Sequence, residues 1–152
     1  MRAASALLVA AALPASAQDY NATPNYGTVT LRTGFTPDPH NVNLRAGGDR
    51  SAQERVGSAC RGFITNTPDV RLNYTAGDTF PLIISVAAQA DTTLVVNGPD
   101  GRWYCNDDGG NGLNPSLRFD HPASGRYEIW VGTYASGATR PAQLSISEVT
   151  SR

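Results

Sequence analysis

The densest collection of chemically useful side chains lies between Asp91 and Pro115, in DTTLVVNGPDGRWYCNDDGGNGLNP. Four of the chain's thirteen acidic residues fall there: Asp91, Asp100, Asp107 and Asp108. Asp107 and Asp108 are adjacent, and like charges side by side are costly unless water or a cation neutralises them. Asn111 and Asn114 add amide oxygens, and Gly109, Gly110 and Gly112 let backbone carbonyls turn towards one point. Oxygen donors on a pliable loop suit a hard cation, Ca²⁺ above all, which accepts irregular oxygen geometry. Asp107, Asp108 and Asn111 are the expected ligands, with Asn114 and Asp91 beside them. The same composition also builds a plain solvated loop held by Asx-turns. Two regular calcium motifs do not fit. The loop lacks the alternating ligands and terminal glutamate of an EF-hand. Gly109 to Asn114 resembles one β-roll nonapeptide, but no second copy exists to stack on it.

Other chemistries find less support. Nucleophilic hydrolysis needs a serine or cysteine beside a base, and no G-x-S-x-G stretch occurs. His40 follows Pro39 and His121 precedes Pro122, so both are expected as exposed turn residues. Glycoside hydrolysis needs two poised carboxylates, and nothing pairs Glu54, Glu128 and Glu148. Trp103 and Trp130, with Tyr104, Tyr127 and Tyr134 near them in sequence, could form a platform for stacking sugars. Core and inter-strand packing accounts for most aromatics at period two; both tryptophans fall out of phase with the apolar residues assigned inward, which leaves an outward aromatic surface as the alternative. A non-catalytic binding module is therefore the first reading, with a carbohydrate-binding module and a small secreted hydrolase as alternatives.

These residues need a scaffold, and the chain reads as strands. Leu94 and Val96 alternate with Thr93, Val95 and Asn97, and Gly98-Pro99-Asp100-Gly101 turns the chain into a hairpin partner from Arg102 to Asn106. Further strands are expected at Thr28 to Arg32, Val42 to Arg45, Gly62 to Thr65, Asp69 to Tyr74, Phe80 to Ala87, Ser116 to Phe119, Tyr127 to Val131 and Gln143 to Val149. Phe80, Leu82, Ile84 and Val86 share a face while Ile83 is also apolar, so that strand is expected to be buried on both sides. Ser51 and Glu54 have the spacing of a capping box, worth one helical turn at most. Short alternating strands without crossover helices predict an all-β, antiparallel β-sandwich of jelly-roll type over 28–152.

The N-terminus reads as a secretory signal over 1–17. Arg2 precedes the short apolar run Ala6 to Leu13, and Ala15-Ser16-Ala17 offers a cleavage site. Cleavage leaves 152 − 17 = 135 residues beginning at Gln18, with 18–27 as a flexible polar arm. The remaining 11 basic residues, all arginine and scattered, stand against 13 acidic ones. Nucleic acid is thus an unsuitable partner, and no other apolar run could span a membrane. A secreted or periplasmic location is expected. Two cysteines in an exported chain predict one disulfide, Cys60–Cys105. Zinc held by these cysteines with His40 and His121 is the alternative, although the spacings match no ordinary zinc module.

The order of signals is similar to the bacterial pre-peptidase C-terminal domain. It runs through Asp69-Val70-Arg71-Leu72, Ala76-Gly77, Pro81-Leu82-Ile83-Ile84, Asp91-Thr92-Thr93-Leu94, Pro99-Asp100-Gly101, Asn106-Asp107-Asp108 and Ser124 to Val131. The resemblance covers about residues 60 to 149. It implies a small secreted jelly-roll sandwich that accompanies exported proteases, some members binding calcium, so an exported protein is the expected partner, with a polysaccharide the alternative that the aromatic residues offer. Cys60 and Cys105 are not general to that family, and no protease domain is present in this chain.

Overall fold

The computed structural model describes residues 18–152. The expected signal segment and its cleavage point after Ala17 lie outside the described residues. In chain order the elements are β1 (Thr28–Arg32), β2 (His40–Ala46), β3 (Arg50–Ser51), α1 (Ala52–Arg55), β4 (Phe63–Ile64), β5 (Val70–Thr75), β6 (Leu82–Ala87), β7 (Thr92–Asn97), β8 (Trp103–Asn106), β9 (Ser116–Phe119), β10 (Gly125–Thr133) and β11 (Arg140–Ser147). They form two sheets. The smaller runs β2-β11-β6-β9. The larger is organised around β10, which pairs β7 along one side and β5, then β4, along the other.

The core between the sheets follows from period-two alternation. Val70, Leu72, Tyr127, Ile129, Leu94 and Val96 of the larger sheet meet Leu82, Ile84, Val86, Leu144 and Ile146 of the smaller one. As expected, β6 is buried on both faces. Phe80, however, is exposed: β6 begins only at Leu82, after Pro81. Ser51 caps the helix, its Oγ accepting from the Glu54 backbone N–H at 3.4 Å, and α1 ends after one turn.

Two expectations need correcting. The sandwich is not wholly antiparallel, because β1 runs parallel to β5 with Val29 opposite Leu72. The excursion through β2 to β4 is long enough to bring the chain back in the same direction, and it needs no crossover helix. Nor is 18–27 a loose arm. Gln18 is buried, its side-chain amide donating to the Thr65 and Asn66 carbonyls. Asn25 and Tyr26 donate backbone N–H groups to Pro68 O and Asp69 O, each at 2.8 Å. Arg71 holds the Ala22 carbonyl at 3.1 Å, and Arg126 holds the Asn21 side chain at 2.8 Å. Beneath this segment the buried Glu128 accepts from Arg71 at 2.5 Å and lies 3.1 Å from Arg126 Nε.

The arm also closes a break in the sheet. Where β10 passes from β5 to β4, no strand faces the Val131 N–H. The buried Asp69 carboxylate accepts that N–H at 2.8 Å and the Asn25 amide at 3.1 Å. Burial pushes the Asp69 carboxyl up to about 6, against the hydrogen bonds that lower it. A folded-state value above the unfolded one means the fold binds the proton more tightly. The penalty for charged Asp69 is therefore full above about pH 6 and relieved as the pH falls towards 4, amounting to about 3 kcal/mol. The midpoint of urea unfolding should rise between pH 7.5 and 5. Asp69→Asn should reduce that rise, leaving the part due to Glu128 and Asp91, whose carboxyls burial also raises. An unchanged pH profile in Asp69→Asn would refute this assignment.

Candidate binding site

Three loops meet at one end of the sandwich: 88–91 after β6, 107–115 after β8 and 134–139 after β10. Hydrogen bonds join them. Thr92 N–H donates to Leu113 O at 3.3 Å, Tyr134 N–H donates to Asp91 O at 3.0 Å, and Asn114 Nδ2 donates to Ala88 O at 2.9 Å. The acidic loop is thereby brought against Asp91, as the sequence suggested. Burial, then the charges of Asp108 and Asp107, raise the Asp91 carboxyl above the usual carboxylate range.

The expected ligands nevertheless do not close into a metal cage. Among the described residues, no three His, Cys, Asp or Glu side chains gather to hold an ion. Asn114 is spent on the scaffold, since its Oδ1 accepts from Thr92 Oγ1 at 2.8 Å while its amide nitrogen holds Ala88. The glycines serve packing more than carbonyl reorientation. A Cβ on Gly109 would lie 2.6 Å from Asn106 Oδ1, and one on Gly110 would overlap the Arg152 carbonyl oxygen. The residue that organises the loop is Asn106, whose Oδ1 accepts from Gly109 N–H at 2.7 Å and Ser116 N–H at 3.0 Å. Asparagine three residues ahead of glycine is a turn signal that marks it.

Beside this loop is an open hollow of about 320 Å³, lined by Ala90, Asp91, Thr133, Tyr134, Ser136 and Arg140. Asp91 Oδ1 is buried and meets no hydrogen-bond donor among the described residues. Tyr134 is exposed on the neighbouring wall. Arg140 opens β11, and sequence reasoning did not single it out because isolated arginines are scattered throughout the chain.

No family model matches the chain. No curated protein matches it either. Among solved structures, the chain is similar to Aeromonas hydrophila PliG, described as a periplasmic lysozyme inhibitor of g-type lysozyme, at 18% identity. The likeness covers 79% of this chain and 96% of that one, with a TM-score of 0.41.

The remaining site expectations are placed as follows. Cys60 and Cys105 are joined, with Cα atoms 5.2 Å apart, so neither is a zinc ligand. His40 lies on β2 opposite Ile146, and His121 is exposed after β9. Neither imidazole is hydrogen-bonded to a serine or a carboxylate among the described residues. Trp130 is completely buried and Trp103 half-buried, so the tryptophans pack as core and the alternative of an outward platform does not form. The two rings lie 5.4 Å apart in a second core with Ala52, Cys60, Ile64 and Val95, on the face of the larger sheet that points away from the smaller one.

Proposed function

We propose that this chain is an exported, non-catalytic accessory module of the pre-peptidase C-terminal type. Its hollow beside Asp91 engages an exported protein. The observation that carries this reading is the hollow itself: a concavity on a hydrogen-bonded loop frame, with a buried unpartnered carboxylate oxygen and an exposed tyrosine. Tyrosine and arginine, here the exposed Tyr134 with Arg140 on the lining, are the residue types that anchor interfaces. Export is supported by the disulfide, which persists in oxidising compartments, and no described helix is long and apolar enough to cross a membrane. A photo-reactive phenylalanine analogue placed at Tyr134 in the exporting cell should trap a discrete protein adduct, and Asp91→Arg should abolish it. Absence of any adduct at this position would sink the reading. Ester or peptide hydrolysis lost in His121→Ala would return the hydrolase alternative.

Calcium belongs to the same proposal as a weak occupant of the acidic loop. Asp107, Asp108, Asn111 and the neighbouring Asp91 are its oxygen donors once the loop closes on it, since among the described residues their side chains are not gathered into a site. Burial first, then the charges of Asp108 and Asp107, raises the Asp91 carboxyl, and a divalent ion would offset the charge part of that rise. An affinity of about 10⁻³ M gives roughly 1.4 kcal/mol in 10 mM Ca²⁺, a thermal shift of a few degrees. Asp107→Asn with Asp108→Asn should remove it. A shift reproduced by sodium chloride of equal ionic strength would reduce the effect to screening and exclude a site.

A further inference from the structure

We propose that the opposite end of the sandwich carries a saccharide subsite, built from Tyr104, Phe119 and Tyr127 with Asp100 and His121 at its rim. These residues, with Pro99, line a hollow of about 100 Å³. The three rings form an edge-to-face chain, Tyr104 to Phe119 at 5.0 Å and Phe119 to Tyr127 at 5.5 Å. Both tyrosines are anchored: Tyr104 donates its hydroxyl to Asp100 Oδ2 at 2.6 Å, and Tyr127 donates to Ala123 O at 2.7 Å. Tyr127 is buried, whereas Tyr104 and Phe119 remain partly exposed. The aromatic wall is thus ordered before any ligand arrives, and no rotamer entropy is lost on binding.

The polar rim selects the ligand. Asp100 is exposed and, among the described residues, accepts the Tyr104 hydroxyl at 2.6 Å and the Arg102 N–H at 3.0 Å. An ionised carboxylate offers about four lone-pair positions, so roughly two remain for a ligand. His121 adds an exposed ring nitrogen. A wholly apolar occupant would strip water from Asp100 and return nothing. A pyranose answers both halves: its C–H face lies on the exposed parts of Tyr104 and Phe119, which the buried Tyr127 backs from the core, and its hydroxyls reach the carboxylate and imidazole. A second hollow of about 320 Å³ shares Pro99 and is lined by Tyr20, Asn97, Ser124 and Arg126. The Asn97 amide nitrogen is held by Gly101 O and Arg102 O, and Arg126 by Asn21 and Glu128. This hollow is therefore a polar, ordered continuation whose Ser124 hydroxyl can meet a next sugar unit, and the expected ligand is an oligosaccharide crossing Pro99. This site is independent of the Asp91 hollow.

The test is amide-resolved NMR titration of the disulfide-intact protein with cellotetraose, with chitotetraose and, separately, with a decaproline peptide. A saccharide should shift the signals of Asp100, Tyr104, Phe119 and His121 and leave those of Asp91 and Tyr134 in place. Loss of the charged acceptor in Asp100→Ala should weaken binding by about tenfold or more. Because Asp100 also anchors Tyr104 and the Arg102 N–H, Asp100→Asn, which keeps an acceptor oxygen, is measured beside it and should lose less affinity. An unchanged amide spectrum away from the hollow shows that each variant retains the fold. Asp91→Asn should bind like the parent. No shift with either saccharide at about 10 mM, equal affinity in Asp100→Ala, or binding of decaproline alone would each overturn the proposal.

Discussion

Replacing Cys60 and Cys105 together by alanine should lower the thermal midpoint by roughly 10 °C or more. The bridge spans a sequence separation of 45, and in the chain-entropy picture a loop of that size contributes about 4 kcal/mol. For a chain of this size, each kcal/mol moves the midpoint by about 2–4 °C. The bridge also has a packing role. Cys60 belongs to the second core with Ala52, Ile64, Val95 and Trp130, and Cys105 packs against that core from β8. Removing the sulfurs therefore loosens Trp130 as well as lengthening the free chain. The parent protein in a strong reductant should lose a similar amount, and its tryptophan fluorescence should shift to the red before the inter-sheet core melts. A double variant that melts with the parent would show that the second core holds without the bridge.

Gly48→Ala should be comparably damaging, for a steric reason. A Cβ at Gly48 would overlap the Ile64 carbonyl carbon and oxygen and the Thr65 nitrogen. All three are backbone atoms, so no side chain can swing aside. β4 would have to leave β3 and β10, taking Ile64 out of the second core. Overpacking ordinarily costs about 1–3 kcal/mol, and a backbone clash belongs at or above the upper end. Gly57→Ala is the matched control. Nothing lies within 4 Å of its added Cβ, and alanine there restricts the unfolded chain, so it should be neutral or slightly stabilising. Urea unfolding of the two variants side by side measures the difference. Equal midpoints would mean that β4 is free to shift and contributes little to the fold.

The same two regions mark the limit of sequence reasoning. The inter-sheet core was legible because β5, β6, β7 and β10 carry their apolar residues at period two, and alternation reports directly which face is dry. The disulfide and the one-turn helix were legible for equally local reasons, a cysteine count and a capping spacing. Asp91 and the acidic loop lie at one end because a hairpin brings adjacent strands back to the same end. Whether those oxygens converge was not legible, since Asn114 and Asn106 choose their partners only once the loops are packed.

Period two failed for Trp130 and Glu128 because it assumes that the outer face of a sheet meets water. Here that face has its own cover. One part is roofed by α1, the disulfide and Trp103, and another by the segment from Gln18 to Tyr26. Nothing in a polar, aperiodic run announces that it will dock, because its hold comes from hydrogen bonds to residues 40 or more positions away, such as Asn25 to Asp69. Those bonds do not exist until β10 has set the break that Asp69 fills. Local pattern determined the strands, the buried face between the sheets and the cysteine pairing. Tertiary structure alone decided which outer faces are covered, and thus that the tryptophans belong to a core while Tyr104 and Phe119 stay partly open to solvent.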